Sequence, residues 1–168
     1  LNRLWELNLP YETLEQFGAK LGADVPFLVQ GGTAFAEGIG EKLKPVTVEF
    51  PKAVLVATPH CAVPTKDAYA GVKPSGNVRW EQFRSAWNGT LSFEFYNKFE
   101  ESVFPKYPMI QDLKNKLENL GAFKTLMSGS GASVFALFDS EENAKKALAI
   151  IEPTVRFSRI TQFKEKLI

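Results

Sequence analysis

Side chains that bind metals or form covalent cross-links are scarce in this sequence. Cys61 is the only cysteine and His60 the only histidine among the 168 residues. An internal disulfide is therefore impossible, and no cysteine–histidine set can hold a structural zinc ion. We expect a reducing compartment and a cytoplasmic location, and we assign no side chain as a metal ligand.

The sequence also lacks an excess of one charge and any long apolar run. Its 20 basic and 19 acidic residues give a formal net charge of +1. Such a balance creates no field that attracts a polyanion, so we expect no nucleic-acid partner. No apolar run could cross a bilayer, and Glu6, Glu12 and Glu15 are unlike a signal peptide, so we expect no membrane partner. Because the chain starts at Leu1 rather than Met, we expect it to be part of a longer protein.

Hydrophobic periodicity predicts an α+β fold. The order strand, helix, strand, strand, helix, strand is the βαββαβ order of a ferredoxin-like domain, here with extra helices after the first strand. Its segments are residues 53–58, 109–120, 123–127, 133–138, 141–151 and 155–163, and the extra helices are residues 64–72, 80–87 and 93–103.

The segment before residue 51 has a different pattern. It predicts helices over residues 1–7, 13–21 and 25–30 and strands over 33–36 and 42–50. The third helix is so apolar that we expect it to be buried. Pro51 is expected to mark a domain boundary, with one domain at residues 1–50 and another at 51–168.

Asp24 lies at the start of the predicted apolar helix 25–30. A carboxylate in that position can receive backbone N–H bonds and interact with the helix dipole. The alternative is that Asp24 only caps the helix. The string around Asp24, taken alone, favours the cap.

A glycine turn, residues 128–131, joins two predicted strands. Gly129 and Gly131 alternate with serines, which lets the backbone approach a ligand closely and present its N–H groups to an anion. A hairpin turn built from small residues explains the same string. Both interpretations stay open on this segment alone.

Together, five strings resemble the GHMP kinase superfamily of small-molecule kinases. They occur in the order LNRLW, LGADVPF, GGTA, GIGE and MSGSGASVF. The resemblance extends along essentially the whole chain, although residues 73–107 carry no family motif. It implies that residues 51–168 form the family's C-terminal domain and that residues 1–50 are a strip of its N-terminal domain.

The resemblance also implies an activity. The GADVPF string is most similar to the branch that uses ATP, with Mg²⁺, to phosphorylate a hydroxyl of 4-diphosphocytidyl-2-C-methyl-D-erythritol (CDP-methylerythritol) in non-mevalonate isoprenoid precursor biosynthesis. Asp24 matches the family's catalytic aspartate. The expected substrate and phosphate contacts are Gly129, Ser130 and Gly131, with Thr65 and Tyr69 near the cytidine.

The chain departs from the family in lacking the Pro-x-x-x-Gly-Leu-Gly-Gly-Ser-Ser loop that binds ATP and the lysine that faces the catalytic aspartate. We therefore expect these residues alone to be inactive, and apolar surface left uncovered would allow a homodimer. Two alternatives stay open: a GHMP kinase acting on mevalonate, homoserine or a sugar, and a non-catalytic ferredoxin-like binding module. Convergence of Asp24 and the glycine turn on one cavity would favour the kinase.

Overall fold

A computed structural model describes residues 1–40, 42–45, 53–73 and 96–163. These residues form two compact units, the first ending within the described residues at 45 and the second running from 53 to 163. The predicted boundary at Pro51 lies outside the described residues. So do the predicted helix 80–87, the start of the helix 93–103 and the end of the strand 42–50.

The first unit contains two helices and a two-stranded antiparallel sheet. The helices are α1 (Tyr11–Leu21) and α2 (Val25–Gln30), and the strands are β1 (Ala34–Glu37) and β2 (Lys42–Pro45). Gly18 lets the two helices approach, because a Cβ atom there would lie 3.0 Å from Val25 Cγ1. Positive φ values at Gly31 and Gly32 then end α2 and turn the chain towards the sheet.

Two expectations for the first unit are wrong. The predicted helix over residues 1–7 is a series of turns, because the Asn2 side chain binds both backbone groups of Leu9, at 3.0 and 3.1 Å. Helix α2 is not buried: Leu28 is 59% exposed, and Pro26 is its only buried residue.

The first unit has no apolar core of its own among its described residues. Only Gly18 and Pro26 are buried there. Its exposed large hydrophobic side chains belong to Leu1, Leu4, Trp5, Leu7, Tyr11, Phe17, Leu21, Leu28 and Ile39. An apolar surface of this kind is a common feature of protein contacts.

The second unit is built on a four-stranded antiparallel sheet. Its strands are β3 (Ala53–Thr58), β4 (Lys124–Met127), β5 (Val134–Phe138) and β6 (Phe157–Thr161), in the spatial order β4-β5-β3-β6. The first strand of this unit lies between the third and the fourth, and the second is at an edge. This arrangement is ferredoxin-like, so the predicted fold class is confirmed.

Four helices accompany this sheet in the described part of the second unit. They are α3 (Thr65–Ala70), α4 (Glu100–Val103), α5 (Pro108–Asn119) and α6 (Glu141–Ile151). Helix α5 packs on β4 and β5, and α6 packs on β3, β5 and β6. Helix α5 lies within one residue of the predicted helix 109–120, and the residues that it buries, Ile110, Leu113 and Leu117, have helical spacing.

The core of the second unit is continuous from the sheet into the helices. Strand β3 is almost wholly buried, with Ala53, Leu55 and Ala57 at 0% exposure, which explains its unbroken apolar run. Ala144 and Ala147 on α6 are also buried, and their small side chains let the helix approach the sheet closely. The glycine turn lies between β4 and β5, at the end of the sheet where β4 stops at Met127.

Candidate functional site

The glycine turn connects β4 to β5 as a hairpin. The Ser128 N–H donates to the Ser133 carbonyl at 2.8 Å, and the Gly131 N–H donates to the Ser128 carbonyl at 3.0 Å. Gly129 and Gly131 have φ values of 54° and 93°, which L side chains rarely adopt. The hairpin interpretation is therefore right about the geometry, and the anion-binding interpretation depends on where the remaining N–H groups point.

Two of those N–H groups are available to a ligand. The N–H groups of Gly129 and Ser130 donate to no acceptor within the described segments. A buried N–H without a partner is unfavourable, but these are at an accessible turn where an anion or water can accept from them. Successive backbone N–H groups of this kind form a concave site for a phosphate oxygen.

The structure brings Thr65 and Ser130 together. Their hydroxyl oxygens, Thr65 Oγ1 and Ser130 Oγ, lie 3.3 Å apart although 65 positions separate the residues in the chain. Thr65 is the first residue of α3, immediately after Pro64, and it is exposed. The two hydroxyls can therefore contact the same ligand atom at the edge of the glycine turn.

Tyr69 extends this edge. It lies one helical turn after Thr65, so the two side chains share a face of α3. Tyr69 is 64% exposed, and its ring meets Phe99 edge-to-face with centroids 4.8 Å apart. The Phe99 contact holds the ring in place while most of its surface stays accessible for stacking.

A polar network holds the glycine turn from behind, and sequence reasoning missed it. Asn97 Nδ2 donates to the carbonyls of Met127 and Gly129, both at 2.7 Å. Glu100 Oε1 accepts from the Met127 N–H at 2.8 Å, while its Oε2 pairs with Lys114 at 2.6 Å. These contacts join α4 and α5 to the turn that carries the predicted site.

A sequence signal that touches this network is the spacing of Asn97 and Glu100, which is typical of residues that cap a helix start. The structure does not use it as a cap: the N-cap of α4 is Phe99, which has no side-chain capping bond, although the Phe99 N–H donates to Asn97 Oδ1 at 3.0 Å. The predicted helix over residues 93–103 is therefore wrong for residues 96–99, and this error hid Asn97.

Asp24 lies in the first unit, at the residue before α2. It occupies the N-cap position, yet its side chain makes no capping hydrogen bond. The carboxylate is exposed and has no partner within the part of the chain that the structure describes. A purely structural role as a side-chain cap is therefore wrong, whereas convergence of Asp24 with the glycine turn stays a prediction.

The Cys61 thiol has the properties of a packing residue rather than of a nucleophile. Burial raises the pKa of the Cys61 thiol above its usual value, although Arg156 opposes this effect. The thiolate is then a minor species at neutral pH, as for an ordinary packed cysteine.

Within residues 1–40, 42–45, 53–73 and 96–163, no group of three or more His, Cys, Asp or Glu side chains could hold a metal ion. No helix in those segments has both the length and the apolar character to cross a membrane.

Known proteins match the chain along most of its length. The model of the family described as GHMP kinases C terminal matches residues 81–153. A relative from Thermodesulfovibrio yellowstonii named 4-diphosphocytidyl-2-C-methyl-D-erythritol kinase is 35% identical over 164 residues, which is 90% of this chain and 57% of the relative. A relative of the same name from Bacteroides fragilis is 40% identical over 152 residues, which is 87% of this chain and 54% of the relative. The chain thus spans little more than half the length of these curated relatives.

Solved structures lead to the same superfamily. A crystal structure of 4-(cytidine 5'-diphospho)-2C-methyl-D-erythritol kinase superposes with a TM-score of 0.77 at 27% identity, covering 99% of this chain and 61% of that chain. Homoserine kinase from Cytophaga hutchinsonii has a TM-score of 0.68 at 21% identity, covering 98% and 61%, which shows the fold alone. The resemblance read from the five motifs is confirmed: residues 81–153 match the GHMP kinase C-terminal family, and the chain is similar to kinases of this superfamily along about nine tenths of its length.

Proposed function

We propose that the protein containing this chain transfers the γ-phosphoryl group of ATP to a hydroxyl of CDP-methylerythritol. One observation carries the proposal. The relatives that align with about nine tenths of this chain are named as kinases of this substrate. The reaction serves non-mevalonate isoprenoid precursor biosynthesis. The chain alone is proposed to be inactive, since it spans 57% of the first of these relatives.

The glycine turn is proposed to bind the phosphate groups of the substrate or of ATP. The N–H groups of Gly129 and Ser130 are donors of the kind that hold phosphate oxygens. The hydroxyls of Thr65 and Ser130 hydrogen-bond to each other at 3.3 Å, so one of them donates to the other and the other can donate to a phosphate oxygen at the same edge.

Tyr69 is proposed to hold the cytosine ring. Its side chain is 64% exposed and is oriented by Phe99, so an aromatic face is ready before the ligand binds. Stacking of a base on an aromatic side chain contributes roughly 1–3 kcal/mol. The position beside Thr65 on the same face of α3 would put the base next to the phosphate donors.

Asp24 is proposed to act on the acceptor hydroxyl. Its carboxylate, which is not occupied in capping α2, can orient the hydroxyl and accept its proton. The hydroxyl oxygen then forms a bond to the γ-phosphorus while the bond to the bridging oxygen of ADP breaks. Phosphoryl transfer depends chiefly on such positioning and on stabilisation of charge.

ATP and Mg²⁺ are proposed as cofactors. Mg²⁺ is usually bound through phosphate oxygens and one or two carboxylates, and when bound it neutralises charge on the transferred group. The ion would come with ATP, and the exposed glycine turn fits the phosphate oxygens that carry it. A cytoplasmic location and a homodimer are also proposed, supported by the single cysteine and by the exposed apolar side chains of the first unit.

The decisive test is an assay of phosphoryl transfer from ATP to CDP-methylerythritol. It compares this chain with a version extended through the upstream coding sequence to the length of the relatives, each with and without Asp24→Ala. Asp112→Ala removes an exposed carboxylate on α5 and is the matched control. We expect activity only in the extended protein and a loss of about 10²–10⁴-fold in Asp24→Ala, as for removal of a general base.

The same assay separates the alternatives. A folded, extended protein that phosphorylates mevalonate, homoserine or a sugar, but not CDP-methylerythritol, would refute the substrate assignment and keep the kinase. A folded, extended protein that is inert towards all these alcohols would leave the non-catalytic ferredoxin-like module as the better interpretation.

A further inference from the structure

We propose that Asn97 is a positioning residue that turns the Ser130 N–H of the glycine turn towards a bound phosphate. The inference rests on the proposed function for its biological meaning, but its structural content can be tested separately. It assigns a role to a residue outside every motif that suggested the family.

The orientation of the Asn97 amide is fixed by its own contacts. Its Oδ1 accepts from the Phe99 N–H at 3.0 Å, so the oxygen faces α4. Its Nδ2 faces the turn and donates one hydrogen to the Met127 carbonyl and the other to the Gly129 carbonyl. An asparagine amide carries two such donors, and both are used here.

The directions of the carbonyls determine the directions of the N–H groups. In a planar trans peptide, the C=O and the following N–H point to opposite sides. Since the Gly129 carbonyl faces Asn97, the Ser130 N–H points away from Asn97. In the same way, holding the Met127 carbonyl directs the Ser128 N–H to the other side, where it donates to Ser133 at 2.8 Å.

Asn97 thus holds two carbonyls of the turn on its own side, those of Met127 and Gly129, while the Ser128 carbonyl accepts from the Gly131 N–H. Carbonyl oxygens would repel a phosphate, so holding the Gly129 carbonyl behind the turn keeps it away from the side to which the Ser130 N–H points. The glycines allow this conformation, but they allow many others, and Asn97 selects among them.

Glu100 and Lys114 strengthen the attachment. Glu100 Oε1 accepts from the Met127 N–H at 2.8 Å, and its Oε2 pairs with Lys114 at 2.6 Å. Their side chains are only 14% and 19% exposed. Asn97 therefore binds the carbonyl of Met127 and Glu100 binds its N–H, at the end of β4 where the turn begins. Ordering the turn before the ligand arrives lowers the entropic cost of binding.

The test uses the extended protein and the near-isosteric substitution Asn97→Asp. Aspartate keeps the acceptor for Phe99 but replaces the two donors with an oxygen that faces two carbonyl oxygens. Asn97→Ala removes the donors without adding repulsion. Asn115→Asp makes the same change of charge at an exposed position on α5 and is the control.

We expect the KM for CDP-methylerythritol to rise by at least about tenfold in Asn97→Asp, and by less in Asn97→Ala, with kcat changed by only a few-fold. A raised KM with little change in kcat is expected when a variant loses binding energy equally in the ground state and in the transition state. Partial unfolding would instead lower the fraction of active protein and leave KM unchanged. Asn115→Asp should match the wild type. Equal KM values in all four proteins, for CDP-methylerythritol and for ATP, would overturn the inference.

A second measurement keeps the inference independent of the activity. Nuclear magnetic resonance spectra of the extended protein, titrated with cytidine diphosphate and with inorganic diphosphate, report on the Gly129 and Ser130 amides. We expect their signals to shift in the wild type and in Asn115→Asp but not in Asn97→Asp. If the protein is inert yet these shifts occur, only the proposed function fails. If the wild-type signals do not respond, the inference fails.

Discussion

Lys114→Met should destabilise the protein far more than Lys98→Met, although both lysines form ion pairs of the same length. The Lys114–Glu100 and Lys98–Glu101 pairs each have an N···O distance of 2.6 Å. They differ in burial, since the side chains of the first pair are 19% and 14% exposed and those of the second 30% and 62%. Methionine keeps most of the apolar stem of lysine and removes only the charge.

The magnitudes follow from what each carboxylate loses. Breaking a fully buried ion pair costs about 3–5 kcal/mol, because the remaining charge is left without its partner. Glu100 keeps its bond from the Met127 N–H and some water, so we expect about 2 kcal/mol for Lys114→Met. Loss of the Lys114 ammonium from the Phe104 ring, 5.6 Å away, contributes in the same direction. Surface pairs are worth about 0–1 kcal/mol, so Lys98→Met should cost less than about 1 kcal/mol.

The assay is urea unfolding of the extended protein, followed by far-ultraviolet circular dichroism, for the wild type, Lys114→Met, Lys98→Met and both together. The double variant measures any coupling between the pairs, whose carboxylates belong to the adjacent residues Glu100 and Glu101. Salt should weaken the effect of Lys98→Met more than that of Lys114→Met, since exposed charges are screened more strongly. Equal losses for the two single variants would refute the assignment of Glu100 and Lys114 as a largely buried anchor of the glycine turn, with side chains 14% and 19% exposed.

Two further predictions concern the second unit. Gly71→Ala should lower the free energy of unfolding by about 1–3 kcal/mol, because the added Cβ would lie 2.5 Å from Ser102 Cβ and would force α3 away from α4. Thermal or urea unfolding measures this loss, and an unchanged midpoint would contradict the packing. Burial, and then the Lys114 ammonium, lower the pKa of Lys124 below its usual value, so the unfolded chain binds this proton more tightly than the folded one. The free energy of unfolding should therefore rise with pH between the lowered and the usual pKa of Lys124. Urea unfolding at several pH values measures this rise, which Lys124→Met should reduce. An identical dependence on pH in the wild type and the variant would rule out the effect of Lys124.

Elements governed by local signals could be predicted from the sequence. Helix α6 begins and ends at the predicted residues, because Ser140 Oγ accepts from the Asn143 N–H and the apolar spacing is regular. Strand β3 also has the predicted bounds, since an unbroken apolar run bounded by prolines has few other solutions. The glycine turn was found because positive φ values demand glycine at Gly129 and Gly131.

Elements governed by contacts between distant residues could not be predicted from the sequence. The segment from Leu1 has apolar residues at helical spacing, yet Asn2 binds Leu9 and prevents the helix. Leu28 is apolar but exposed, because burial depends on what packs against a helix and not on its own composition. Asn97 was missed because its two acceptors follow it by 30 and 32 positions in the chain.

The sequence by itself determined the βαββαβ order, the family and the chemical types at the site, since periodicity, glycine conformation and short motifs are local properties of the chain. Only the tertiary structure decided that Thr65 meets Ser130, and that Asn97 and Glu100 hold the turn against α4. These contacts join residues far apart in the chain, and their hydrogen-bond geometry depends on how the sheet and helices pack. Local sequence specifies which donors and acceptors are available, and packing decides which of them meet.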